Sequence, residues 1–475
     1  MGIHLVSGKG SGKSRLLGRV LSWLDFVRGI PLVVLDPHGP TIDNFLDKLT
    51  RLPEDIQRQL WPRVLYVDMS GSSGSVIPFP LYYRLGQENL YTISQRYLDV
   101  VRRLDPFLQT ASVQGWNPLW IIGTHAGMVL SALDMQITEA EDLVRNPEGW
   151  KNRLAEAVRK YPEVEPSAAF FTQELPKINA SDRHHRTESF LNKVALFKLD
   201  PTMKAMFGAN RPGIDWRQVI DNSLAVLIDF RGELDLERMR FKLLWAFTYL
   251  MDFIKSRGPG RHKPLSLIID EITYVLSSAM LHGDLLSADM DELINRIARN
   301  YMVWLTLCHQ EMYQLSEPIQ KTLLTMGTQI FGSTSDLEAA VQISRRFMRY
   351  DPYLLKKTEP VYASYQGVSE VIDHRTVEFT MEEQDYQNAL RFMDLPRYHF
   401  LVSPTPMEGT MPTNLYPVSI ENIDPGMYVN ETLVAEARTK LMQLKGRPVK
   451  EVLQEIEARR LPSLTRTTRT ETIPP

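Results

Sequence analysis

The chain has a single cysteine, Cys308, among 475 residues, so it cannot close an internal disulfide. That scarcity excludes a disulfide scaffold and fits a reducing compartment; within the apolar run TLCHQ, Cys308 reads as a small buried hydrophobe. Long hydrophobic runs are also missing. The most apolar stretches, around Leu243 to Ile254 and Leu119 to Leu133, are too short or broken by polar residues, so no bilayer span is expected. No basic leader with an apolar stretch stands ahead of the first strand, and no internal repeat is found. An excess of one charge is lacking too. The formal net charge of −3 excludes binding of nucleic acid by bulk electrostatics and leaves only local basic loops or a channel for that purpose. With 43% hydrophobic and 23% charged residues the chain is not disordered as a whole, and its length suggests roughly two or three domains.

What is present begins at once. An apolar strand, Ile3 to Val6, runs into SGKGSGKS, Ser7 to Ser14, and then into an amphipathic helix over Arg15 to Val27. A glycine-rich turn between a strand and a helix lets successive backbone N–H groups point at a polyphosphate, and the positive helix end adds to the attraction. The residues of this cradle are Ser7, Gly8, Lys9, Gly10, Ser11, Gly12, Lys13, Ser14 and Arg15. Lys13 is expected to bridge the terminal phosphates and the Ser14 hydroxyl to ligate Mg²⁺, so the ligands implied are ATP and Mg²⁺. The tripeptide Gly12-Lys13-Ser14 is weak alone; the strand, the helix and the extra glycines carry the reading. Ser7 stands where GxxxxGK[ST] has its first Gly, so the turn starts at a residue with a Cβ. Gly12, which a phosphate approaches closely, is expected to be irreplaceable.

Further β-branched-rich runs read as buried parallel strands: PLVVLD (31–36), RVLYVD (63–68), LAVLIDF (224–230), LSLIID (265–270), VWLTLCH (303–309) and TQIFGS (328–333). Most are separated by helical patterning, which implies an α/β layout with ligands at the carboxyl ends of the strands. Between Leu85 and about Phe207 the strand signal vanishes in favour of helix-period runs such as Tyr91 to Leu104, Trp116 to Ala132 and Trp150 to Lys160. This segment reads as an all-helical insertion. Its end is locally basic, with Arg183, Arg186, Lys193, Lys198, Lys204, Arg211 and Arg217, and is read either as a solvated helix face or as a polynucleotide contact. His184 and His185 have no metal-ligand spacing with other His or Cys. After Asp351 the pattern turns irregular, with a charged hairpin near Val368 to Phe379 and helices over Glu431 to Leu444 and Val449 to Arg460. The tail PSLTRTTRTETIPP is expected to be flexible.

The strand LSLIIDE ends in Asp270 and Glu271, which puts two carboxylates at the same sheet edge as the cradle. Asp270 would hold the hydrated Mg²⁺; Glu271 would orient and activate the water that attacks the γ-phosphate. Gln310, at the tip of VWLTLCH, can sense that phosphate or water.

The ordered set SGKGSGKS, VVLDPHG, RVLYVDMSG…VIPFPL, LSLIIDE, ARNYMVWLTLCHQEMYQL and QIFGSTSDLEAAVQISRRF resembles the HerA–FtsK group of ring ATPases, most of all the TraG/TraD-type coupling proteins of conjugation and type IV secretion. The resemblance implies a RecA-like P-loop NTPase core with a mostly parallel sheet, an all-helical insertion and a helical C-terminal extension. On that pattern the core occupies residues 1–84 and 215–425, the insertion 85–214 and the extension with its tail 426–475. It implies a homohexameric ring around DNA that hydrolyses ATP to move it. Lys13 and Ser14 match the Walker A pair, Asp270 and Glu271 the Walker B pair, and Gln310 the strand-end sensor. Arg299 matches the basic residue that precedes the sensor strand, while Arg345 and Arg346 lie where a subunit could reach its neighbour's γ-phosphate; which of the three serves as arginine finger stays open. Asp36, in LDPHG, falls at the family's acidic strand end. The family's N-terminal membrane anchor has no counterpart ahead of the cradle, which leaves a soluble member, a truncated reading frame or an anchor supplied by a separate protein.

The expected function is an ATP-driven DNA translocase of conjugative transfer or type IV secretion, cytoplasmic or peripheral at the inner membrane through a membrane-anchored partner. A HerA-like helicase or packaging ATPase shares the same motor chemistry. A non-hydrolytic nucleotide-gated adaptor is the alternative of another class, and the intact Glu271 argues against it.

Overall fold

In the computed structural model the described residues are 2–104, 118–276, 292–365, 368–405, 415–424 and 428–459. The chain divides into two compact units, one of residues 1–63, 222–227 and 259–434, the other of residues 64–221, 228–258 and 435–475.

In the first unit the β-branched runs become strands of one sheet. Its order is Tyr416–Ser419, His399–Ser403, Thr328–Phe331, Gly2–Val6, Val303–His309, Leu265–Ile269 and Leu32–Asp36. The pairs from Thr328–Phe331 to Leu32–Asp36 are parallel. Leu32–Asp36 and Leu265–Ile269 are buried at every residue, which is why they read as continuous rather than alternating apolar runs. The register sets Val6 beside both His309 and Phe331, and Ile269 beside Leu307. The carboxyl ends of the cradle, acidic and sensor strands therefore lie along one edge. Val6, Phe331, Ile343, Phe392 and Leu401 form a core between the sheet and the helices Leu337–Phe347 and Met381–Met393.

The region after Asp351 is more regular than its sequence pattern. Val368–Glu378 is one strand, not a whole hairpin, and it pairs antiparallel with Leu355–Tyr365. Val368, Val371, Thr376 and Val377 favour a strand, and no Gly, Pro or Asn interrupts them to turn the chain within it. Helix Met381–Met393 and the antiparallel strands His399–Ser403 and Tyr416–Ser419 have no counterpart in the reading above.

The second unit holds the long helices Leu90–Leu104, Pro118–Ala132, Ala180–Leu199 and Leu236–Ser256. Helices Leu90–Leu104 and Pro118–Ala132 approach closely because the second carries Gly123 and Gly127: a Cβ at Gly127 would lie 2.7 Å from that of Ser94. Phe197, Phe207 and Phe241 meet edge to face at 5.3–5.6 Å between ring centres. Among the described residues no helix is long and apolar enough to cross a membrane. The PSLTRTTRTETIPP tail lies outside the described residues.

Candidate nucleotide-binding site

The cradle forms where the first strand stops at Val6 and the helix begins at Lys13. Gly10 and Gly12 hold left-handed backbone at φ 86° and 102°, which a Cβ would strain. Gly12 has a second constraint, because an added Cβ would lie 2.3 Å from the ring of Tyr398. Among the described residues the backbone N–H groups of Gly10, Gly12 and Lys13 meet no protein acceptor, as an anion cradle requires. Ser7 is wholly buried and donates through Oγ to Ser11 Oγ at 2.5 Å. Gly8 N–H donates to Ser333 O at 2.7 Å, which ties the turn to the neighbouring strand.

Facing the cradle are the acids of LSLIIDE. Lys13 Nζ lies 3.0 Å from Asp270 Oδ1 and 3.3 Å from Glu271 Oε2. Burial alone would lower the Lys13 pKa, but Asp270 and Glu271 outweigh it and hold the ammonium firmly protonated. Ser14 Oγ is 3.5 Å from Asp270 Oδ2, and Thr41 Oγ1 donates to the same oxygen at 2.7 Å. Glu271 is buried and sits at φ 69°, a left-handed backbone unusual for a side-chain-bearing residue, with Oε1 accepting from Thr273 Oγ1 at 2.7 Å. Strain of this kind concentrates at functional positions.

The donor set fits Mg²⁺. Apart from its ion pair with Lys13, Asp270 Oδ1 is buried with no hydrogen-bond donor, and a hard dication takes one or two carboxylates and a hydroxyl beside phosphate oxygens. No cluster of three or more His, Cys, Asp or Glu that could hold a metal exists among the described residues.

A cavity of about 820 Å³ opens over these groups, lined by Gly8 to Arg15, Asp270, Glu271 and Gln310 as well as by His38, Asn44, Arg397, Tyr398 and Glu421. Ser7 lies beneath it. Arg299, Arg345 and Arg346 do not line it. Arg299 is exposed at the end of a short helix; Arg345 Nε donates to Asp385 Oδ2 at 2.7 Å, and Arg346 Nη2 to Leu324 O at 3.0 Å. Asp36 is a cap, accepting from the N–H groups of Gly39 at 2.7 Å and Ile42 at 3.0 Å. Thr41, Thr273, Arg397 and Tyr398 escape sequence reasoning, because none belongs to a spaced motif and each arrives through tertiary contact.

Beneath the cradle lies a pair of buried imidazoles. Gln329 Nε2 is occupied by Leu323 O and Met326 O, so its Oε1 must accept from His4 Nδ1 at 2.6 Å. His4 Nε2 meets His309 Nε2 at 2.8 Å and His309 Nδ1 meets Glu311 O at 3.2 Å; a neutral His309 donates at one of these contacts, not both. Burial pushes His4 down to about 4, and burial, His4 and the Lys13 charge push His309 further below its usual value. The unfolded chain takes up protons near pH 6.5 and the folded chain does not, so stability is complete above that value and is lost as pH falls toward about 4. Urea unfolding should show a loss of at least about 1 kcal/mol between roughly pH 7.5 and 5.5 from His4 alone, and His4→Gln should flatten that slope. An unchanged slope would show that these rings do not titrate on unfolding.

No family model and no curated protein matches the chain by sequence. Solved structures do. The sulphate-bound trigonal form of the bacterial conjugative coupling protein TrwBdeltaN70 superposes with a TM-score of 0.51 at 14% identity, covering 91% of this chain and 88% of that one. The plasmid coupling protein TrwB in complex with ADP and Mg²⁺ gives 0.51 at 15% identity, covering 91% and 87%. The chain has the fold of the conjugative coupling protein TrwB, the α/β RecA-like arrangement that its ordered motifs imply.

Proposed function

We propose that the chain is an ATPase that drives DNA through a homohexameric ring, as a coupling protein of conjugative transfer or type IV secretion. The observation that carries this reading is the convergence of Lys13 and Ser14 on Asp270 and Glu271 within 3.0–3.5 Å, from segments more than 250 residues apart. The likeness in fold to a protein described as a conjugative coupling protein, and solved with ADP and Mg²⁺, supports it.

In this mechanism the cradle N–H groups and Lys13 hold the phosphates while Glu271 takes a proton from water. The water oxygen bonds to the γ-phosphorus as the bond to the β-phosphate oxygen breaks. Ser14 and Asp270 would hold Mg²⁺, which offsets phosphate charge when bound. Gln310 orients the water or reads the γ-phosphate. Arg299, Arg345 and Arg346 all lie off the cavity of their own chain, a placement that suits an arginine given to a neighbouring subunit. The exposed Arg183 and Arg186, with Lys193, on helix Ala180–Leu199 would meet DNA phosphates, and a membrane-anchored secretion partner would hold the ring at the inner membrane.

The test is ATP hydrolysis with and without single- and double-stranded DNA, where turnover that ignores DNA overturns the proposal. Replacing Arg183, Arg186 and Lys193 by Ala should weaken DNA binding and make its salt dependence shallower, by about one unit of log–log slope per lost phosphate contact. An unchanged slope would remove this helix from the DNA path.

A further inference from the structure

The phosphate cradle uses only one end of the cavity. Beyond Gly12 and Arg15 the lining changes character, to Arg397, Tyr398, Glu421, Tyr428 and Glu431. Tyr398 carries left-handed backbone at φ 67°, held there because its N–H donates to Ser11 O at 2.7 Å and its carbonyl accepts from Ile420 N at 2.9 Å. A side-chain-bearing residue in that conformation is a local cost that surrounding contacts must maintain. The guanidinium of Arg15 lies 5.0 Å from the centre of the Tyr398 ring and that of Arg397 lies 4.7 Å from it. Arg397 is exposed and has no carboxylate partner among the described residues.

The outer wall is fastened to the helix that follows the cradle. Asp424 accepts from Arg19 Nε and from Lys48 Nζ at 3.2 Å, and its carbonyl accepts from Arg15 Nη2 at 2.6 Å. Arg19 also reaches Asp47 Oδ2 at 2.6 Å, and Asp47 Oδ1 accepts from Asn430 N at 2.8 Å. Arg51 donates to Tyr428 O at 2.8 Å. These bonds place Tyr428 and Glu431 at fixed points relative to the phosphates, a preorganisation that a solvated loop would not need.

We infer that Arg397 and Tyr398, backed by Glu421 and Glu431, form the nucleoside subsite of the cavity, taking the base and ribose of the nucleotide whose phosphates the cradle holds. The inference rests on the nucleotide-binding reading above. A triphosphate chain that starts at Lys13 and follows the first turn of the helix emerges beside Tyr398. There a flat π-system meets an aromatic face and a guanidinium, both of which stack on bases. The two carboxylates accept hydrogen bonds, which ribose hydroxyls and exocyclic amino groups supply alike.

The experiment compares Mg-ATP with Mg-tripolyphosphate, which has the phosphates and no nucleoside, by calorimetric titration of the full chain. The wild type should bind ATP about tenfold to a hundredfold more tightly than tripolyphosphate. Arg397→Ala and Tyr398→Leu should each remove most of that preference while leaving tripolyphosphate affinity unchanged; leucine keeps an apolar body against Gly12 but no π-face. A wild type that binds tripolyphosphate as tightly as ATP, or variants that keep the full preference, overturns the subsite alone. A wild type that binds neither compound overturns the nucleotide reading and the subsite with it. Arg397 does not touch the cradle, so a loss of tripolyphosphate binding confined to Tyr398→Leu would mark Tyr398 as a prop for Gly12, and Arg397→Ala would then decide.

Discussion

Glu271→Gln should lower steady-state ATP turnover by about 10²–10⁴-fold, the range of a lost general base, while nucleotide still binds. The two side chains have the same shape, and both carry the same backbone cost at φ 69°, so the change isolates the proton-accepting oxygen. Lys13 keeps its 3.0 Å partner Asp270, so the cradle should survive. Lys13→Ala should behave differently. It leaves two buried carboxylates without their cation and the phosphates without theirs, so binding and turnover should fall together. Hydrolysis rates set beside nucleotide affinities for both variants make the check. Turnover that survives either substitution would sink the assignment, and a Glu271→Gln protein equal to the wild type would favour a non-hydrolytic, nucleotide-gated adaptor.

Gly332→Ala should cost about 3 kcal/mol of stability, the upper end of ordinary overpacking, and disable the cradle with it. A Cβ at Gly332 would lie 1.9 Å from Ser7 Oγ and 2.7 Å from Ser7 Cβ, so turning the buried hydroxyl away would still leave the Cβ contact. The departure from the usual first glycine of the phosphate loop is thus matched by a glycine just past the end of the neighbouring strand Thr328–Phe331. Ser7→Gly should cost little by itself, losing the hydroxyl contact with Ser11, and should rescue Gly332→Ala in the double variant. Urea unfolding of the four proteins gives the coupling energy directly. Additive effects would mean that the two positions do not compensate each other.

The central strands were legible because parallel strands buried on both faces leave long β-branched runs. Leu32–Asp36, Leu265–Ile269 and Val303–His309 fall within a residue of the runs that mark them. The cradle and the paired acids were legible for another reason, since phosphate chemistry demands particular residues at fixed spacing. His399–Ser403 and Tyr416–Ser419 were not, because these short antiparallel strands at one end of the sheet are only partly buried and lack that apolar continuity: only Phe400 and Leu401 of the first are buried, and Tyr416 and Pro417 of the second are exposed. Tyr398 could not be found from spacing at all. Its place over Gly12 exists only because the chain returns to the cradle almost 400 residues later.

In the arrangement described here Lys13 belongs to Asp270 and Glu271. To grip a phosphate it must leave them, and two anions in a dry site tolerate that departure only if another cation arrives in the same event. Bare triphosphate would strip the acids of their neutraliser, whereas a triphosphate escorted by a dication lets both sides trade counterparts at once. On the proposed function, the ammonium would hold the place of a substrate that brings its own metal.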